Sequence, residues 1–207
     1  MLELTEERIK EAIQELCQMR IGIHFCFSKK QKDDPNAHCF KWTRWKHIKV
    51  YGDWSELEHT DQGIVLDTKL YLLTTIGHEL GHADSEPHIL APLPSKFRNH
   101  IREIRADYCG LIFAMRYLSK YHPDILTTRE ELVKLRYDFS VKHTNPKYRE
   151  ANFTHPSLLK RYMILSNNPV FNEELIRNLS KGYTVSEKEL TKLCKQAMNG
   201  RLLNLQE

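Results

Sequence analysis

A chain of 207 residues, 41% of them hydrophobic, is long enough to bury one sizeable core and is most simply read as a single domain. Its 31 basic and 27 acidic side chains leave a net charge of +4, but the two signs are mixed along the chain, which makes nucleic acid an unlikely main partner. Five cysteines with no Cys-x-x-Cys pair point to reduced thiols, and no apolar run approaches the ~18 residues of a membrane span.

The chain begins Met1-Leu2-Glu3-Leu4-Thr5-Glu6-Glu7-Arg8, without the basic-then-apolar order of a signal peptide, so a soluble, cytoplasmic protein is expected. Delivery elsewhere as an effector stays open. Thr5 followed by acidic residues reads as a helix N-cap, and Ile9, Ala12, Ile13, Leu16 and Met19 recur at helical spacing to about Arg20. From Ile21 to Ser28 the pattern has period two, which predicts a strand, and Asp33-Asp34-Pro35-Asn36 marks a turn.

Phe40 to Trp54 is rich in aromatic and β-branched residues, with Ile48-Lys49-Val50-Tyr51 the best strand. Trp42, Trp45 and Trp54 interleave with Lys41, Arg44, Lys46 and Lys49, a pattern that suits base stacking and suits equally a sheet with one wet face. A second zinc site from Cys26 and Cys39 with His24 and His38 lacks a knuckle motif and is set aside. Gly63-Ile64-Val65-Leu66-Asp67 predicts a short strand whose free edge would pair with an extended peptide.

The next element, from Thr68 to Ala83, is a predicted helix carrying His78-Glu79-Leu80-Gly81-His82. Residues i and i+4 share a helix face, so His78 and His82 turn their imidazoles to one point, a geometry that suits zinc. Glu79 lies beside them, within reach of a metal-activated water without being a ligand itself. With 11 His in the chain, random placement yields about 0.05 such matches.

After Pro87, Pro92 and Pro94, Arg98 to Tyr121 reads as a second long helix carrying Glu103 and Asp107 four residues apart on one face. A hydrolytic zinc site needs a third protein ligand, and the candidates are His88, His100, Glu103 and Asp107. Glu103 is favoured because it sits on a separate helix after a loop long enough for side-by-side packing. His88 lacks the Gly that precedes the turn in the three-histidine motif.

Further helices are predicted over Arg129 to Val141, Pro156 to Leu165, Asn172 to Leu179 and Ser186 to Met198, the last opened by a Ser186/Glu189 capping box. Residues Thr144 to Thr154 read as an irregular link, and Thr154-His155-Pro156-Ser157 follows it with Arg161 six residues after the His. Asp107 is placed to fix the tautomer of a ligand imidazole or to pair with Arg105 or another base. His155 is placed to bind a developing oxyanion, with Arg161, Tyr162 or Tyr148 as braces.

His78-Glu79-x-x-His82, Glu103-x-x-Ala106-Asp107 and His155-Pro156 with Arg161 resemble, in order, the gluzincin peptidases of the HtpX and CAAX prenyl protease type. The front of the chain is also similar to soluble ImmA/IrrE-type metallopeptidases. The resemblance runs from about Thr74 to Leu165. It implies Zn2+ held by His78, His82 and Glu103, Asp107 and Arg161 behind the ligands, and His155 as a transition-state stabiliser.

The expected fold is α+β and zincin-like, with a small mixed or antiparallel sheet packed on the metal-binding helix and a helical C-terminal half. The parts are residues 1–67 (helix and sheet), 68–121 (metal helices) and 122–207 (helical). The expected function is a zinc-dependent endopeptidase in which Glu79 is the general base, acting on a protein or peptide, with a regulator and a host protein both open as the substrate. The alternative is a regulatory or nucleic-acid-binding protein whose zinc site is structural or inactive.

Overall fold

A computed structural model of the chain describes residues 2, 4–26, 36–40, 47–51, 62–84, 95–143, 146 and 149–205. Helix α1, Glu6–Cys17, opens as the sequence predicts: Thr5 Oγ1 accepts the Arg8 N–H at 3.2 Å, and Ile9, Ala12, Ile13 and Cys17 form its buried face. It ends earlier than Arg20, because Gln18 takes a left-handed backbone (φ 52°) and returns its N–H to the Gln14 carbonyl.

Strands β1 (Gly22–Cys26), β2 (Asn36–Phe40) and β3 (His47–Tyr51) form a mixed sheet in the order β1-β3-β2, β1 parallel and β2 antiparallel to β3. Alternation decides which face is buried: Ile23, Ile48 and Val50 enter the core, while His24 stays exposed and His47 and Lys49 half-buried. On its outer side β1 is covered by α1, where Glu6 Oε2 accepts the Phe25 N–H at 3.0 Å. The wet face at Lys49 agrees with the amphipathic reading of this region; Trp42, Trp45 and Trp54 lie outside the described residues.

Residues 63–67 are not a strand. They form the first turns of α2, Gln62–Asp84, so the boundary expected at residue 67 falls inside one continuous helix. A run of five residues with three adjacent apolar side chains has no periodicity of its own, and Leu66 continues the helical spacing of the buried Leu70 and Leu73. The edge-pairing role proposed for that run falls with it.

Helix α3, Lys96–Tyr121, starts two residues before the expected Arg98, with Ser95 as its N-cap. Helices α4 (Arg129–His143), α5 (Leu158–Asn167), α6 (Glu173–Ser180) and α7 (Glu187–Ala197) follow, then a 3-10 turn at Leu203–Leu205. α5 begins after Pro156, not at it, because Ser157 is its N-cap and accepts the Lys160 N–H. The Ser186/Glu189 capping box is formed. Among the described residues no helix is long and apolar enough to cross a membrane, and the described thiols Cys17, Cys109 and Cys194 are free and buried.

The contact that positions the site is α2 on α3. A Cβ added at Gly77 would meet Phe113 Cβ at 2.8 Å and Gly110 Cα at 2.9 Å; one at Gly81 would meet Cys109 Cβ at 2.7 Å and Ala106 Cα at 2.9 Å. Small residues on both helices therefore let the backbones approach more closely than larger side chains allow. Gly77 and Gly81 each immediately precede a histidine of the motif, so the close seam sits directly beside the candidate ligands.

The far end of α2 is fastened by Arg105, which is almost fully buried. Its guanidinium donates to the Gly81, Ala197 and Asn199 carbonyls at 2.8, 2.9 and 2.9 Å and pairs with Asp84 at 3.1 Å. Asp84 in turn accepts the Arg201 and Leu202 N–H groups. The terminal carbonyls of α2 and α7 thus find donors, and the segment after α7 is tied to α2.

Candidate metal centre

Three side chains from two helices converge. His78 Nε2 and His82 Nε2 stand 3.0 Å apart, and the Glu103 carboxylate spans both, Oε2 at 3.5 Å from His78 and Oε1 at 3.4 Å from His82. Donors on one tetrahedral zinc at about 2.0 to 2.1 Å lie about 3.3 to 3.4 Å from one another, so the observed spacing fits a single ion. The His78 and His82 rings are perpendicular, and both turn Nε2 to the Glu103 carboxylate from the same helix face.

Glu79 is close as well: ligand-capable atoms of His78, Glu79 and His82 all lie within 4.8 Å of one another. The choice between the two carboxylates follows from reach. Glu103 divides its oxygens between both imidazoles, whereas Glu79 stands on the same helix beside them, as a neighbouring base would.

Asp107, one turn after Glu103 on α3, sits behind His78. Its Oδ1 accepts from His78 Nδ1 at 2.8 Å, and a carboxylate only accepts, so Nδ1 carries a proton and Nε2 is the nitrogen turned to Glu103 and His82. The same carboxylate takes Arg161 through Nε at 2.6 Å and Nη2 at 2.5 Å, and Arg136 Nη2 at 2.9 Å. Arg136 also donates to Thr74 Oγ1 at 3.2 Å, tying α4 to α2 one turn before His78. Arg105, the base next to Asp107 in sequence, points instead to Asp84.

The charges are mutually consistent. Burial alone raises the Glu103 carboxyl, but its hydrogen bond to His78 and the charges of His78, His82 and Arg161 outweigh burial and hold it at about 2. Burial likewise opposes ionisation of Asp107, yet Arg161 and Arg136 keep it well below the usual carboxylate range. For His78, burial lowers and the bonds to Asp107 and Glu103 raise, with a net upward shift. Asp107 is matched by the two guanidiniums, and the Glu103 carboxylate faces the imidazoles of His78, His82 and His155.

His155 reaches the same pocket from the turn before α5, with Nε2 3.4 Å from Glu103 Oε2 and the ring about half exposed. Arg161 spends its bonds on Asp107, so it braces the ligand shell. Tyr162 stacks on Tyr137 at 4.6 Å, and Tyr148 lies outside the described residues. Of the other third-ligand candidates, His100 bonds elsewhere, to Asn152 O and Tyr183 Oη, and His88 lies outside the described residues.

Sequence reasoning did not single out Arg136, Thr74 or Asn152. Arg136 is one of many bases on exposed helices, and nothing local marks it as the one that turns inward. Comparison of the chain with protein-family models, with curated proteins and with solved structures finds no match.

Proposed function

We propose that this chain is a zinc-dependent endopeptidase with a zincin-like, gluzincin-type core. The observation that carries the reading is the convergence of His78 Nε2, His82 Nε2 and both Glu103 oxygens within 3.0–3.5 Å, at the separations one zinc imposes. Three protein donors leave a tetrahedral ion one open position, the mark of catalytic sites as against closed structural ones. Zinc bound there supplies Lewis-acid chemistry, lowering the pKa of its water toward about 7 and polarising a substrate carbonyl.

The chain's own residues do the rest. Glu79 accepts a proton from the attacking water and returns it to the departing amine of the cleaved peptide bond. Asp107 holds the His78 tautomer, and Arg161 and Arg136 keep Asp107 charged and in place. His155 turns Nε2 to the pocket beside Glu103, and as the imidazolium, with a hydrogen on each nitrogen, it donates Nε2–H to the tetrahedral oxyanion.

The test is Glu79→Gln, assayed for zinc content and for cleavage of a peptide library. Zinc retained with cleavage abolished supports the reading. A variant that still cuts at the wild-type rate removes Glu79 from the mechanism. Salt-sensitive nucleic-acid binding indifferent to chelation, with no cleavage, would instead favour the regulatory alternative.

A further inference from the structure

Asn152 gathers three donors at one side-chain oxygen: Thr154 N at 2.8 Å, His155 N at 2.7 Å and Thr154 Oγ1 at 2.9 Å. Backbone N–H groups only donate, so the atom receiving two of them is the amide oxygen, not the amide nitrogen. The Thr154 hydroxyl facing that oxygen therefore gives it its single proton. What remains on Thr154 is an acceptor, and it lies 2.7 Å from His155 Nδ1. Both Thr154 contacts are hydrogen bonds at once only if Nδ1 carries a hydrogen.

The turn is itself registered on α3. His100 Nε2 donates to the Asn152 carbonyl at 2.8 Å and receives the Tyr183 hydroxyl at Nδ1 at 2.7 Å. His100 is one turn before Glu103 on α3, so the helix that places the third ligand also places the turn that carries His155. Within the turn, Asn152 N donates to His155 O at 2.9 Å and Leu158 N to Arg149 O at 3.0 Å.

We propose that Asn152 and Thr154 are positioning residues that pin the proton of His155 to Nδ1. Nε2, the atom turned to Glu103 at 3.4 Å, is then the one atom of the ring that exchanges a proton or a hydrogen bond with substrate. Without the hydroxyl, the ring is free to put its hydrogen on either nitrogen and to turn either edge to the cleft. The catalytic consequence rests on the peptidase reading; the location of the proton does not.

Long-range proton–nitrogen correlation NMR on the 15N-labelled full-length chain, zinc-free and zinc-loaded, at a pH where the imidazoles are neutral, reads the tautomer directly. A His155→Gln variant assigns the signals. The wild type is expected to show a protonated Nδ1 and a bare Nε2 at His155, Thr154→Val to move the hydrogen wholly or partly to Nε2, and Thr154→Ser to restore the wild-type pattern. In cleavage, Thr154→Val is expected to lower kcat about 10- to 100-fold with a much smaller change in KM, again rescued by Ser.

A wild type protonated at Nε2 overturns the proposal, and because that spectrum needs no variant, a Thr154→Val chain that misfolds does not shield it. A Thr154→Val chain that keeps the wild-type tautomer, or that loses it and cleaves at the wild-type rate, also overturns the proposal. A wild type that binds zinc and cleaves nothing refutes the peptidase reading instead, while the tautomer is still read in the same sample.

Discussion

Gly110→Ala tests whether the close approach of α2 and α3 sets the ligand geometry. The added Cβ would lie 2.5 Å from the Thr74 carbonyl oxygen and 3.2 Å from His78 N. Carbon–oxygen contacts settle at about 3.3 Å or more, so the helices must part locally by roughly 0.8 Å. Zinc distances hold to about 0.2 Å, and Glu103 on α3 must meet His78 and His82 on α2, so a shift of that size spoils the triangle. Overpacking costs about 1–3 kcal/mol, and replacing a mid-helix Gly by Ala returns up to about 1 kcal/mol, leaving a net loss of roughly 0–3 kcal/mol in stability. The larger effect falls on the metal: affinity measured by competition with a chelator should drop about 10- to 100-fold. Gly182→Ala is the control, since its Cβ would find only Leu179 O at 4.0 Å. A Gly110→Ala chain with wild-type zinc affinity and unchanged urea midpoint would refute the reasoning.

Three further outcomes follow from other parts of the fold. Asp84→Ala removes the partner of a buried Arg105 and the acceptor for two backbone N–H groups, so urea unfolding should show a loss of about 3 kcal/mol or more. Glu187→Ala, which breaks an exposed pair with Arg177, should leave the urea midpoint unchanged. The third is a pH dependence at His100: burial lowers its pKa, aided by Lys96, Lys160 and His155 and opposed by its bond to Asn152. The folded chain thus binds this proton less readily than the unfolded one, whose His titrates near 6.5. The stability His100 contributes is fully present above about pH 6.5 and is lost as pH falls through the lower folded value. Urea midpoints of wild type and His100→Gln should therefore converge on acidification, and a gap that widens below pH 6.5 contradicts the assignment.

What could be read from the sequence was mostly what is local. His78 and His82 share a face because the helix repeats every 3.6 residues, and Glu103 and Asp107 share one for the same reason, so each half of the pocket was legible within a single element. The Ser186/Glu189 box was legible because a cap is a four-residue event. Residues 63–67 misled because a short apolar run fits a strand and a buried helix equally well. β2 escaped because Asn36-Ala37-His38-Cys39-Phe40 lacks the β-branched alternation that marks a strand. Arg136 and Asn152 were invisible for another reason: their partners Asp107 and His100 lie 29 and 52 positions away, and only packing brings them together.

Zinc K-edge X-ray absorption on the loaded chain tests the three-donor centre most directly. One ion per chain, bound by two imidazole nitrogens and oxygen donors at about 2.0–2.2 Å, is the predicted result. A sulfur shell at about 2.3 Å, or a chain that holds no ion at all, would contradict it.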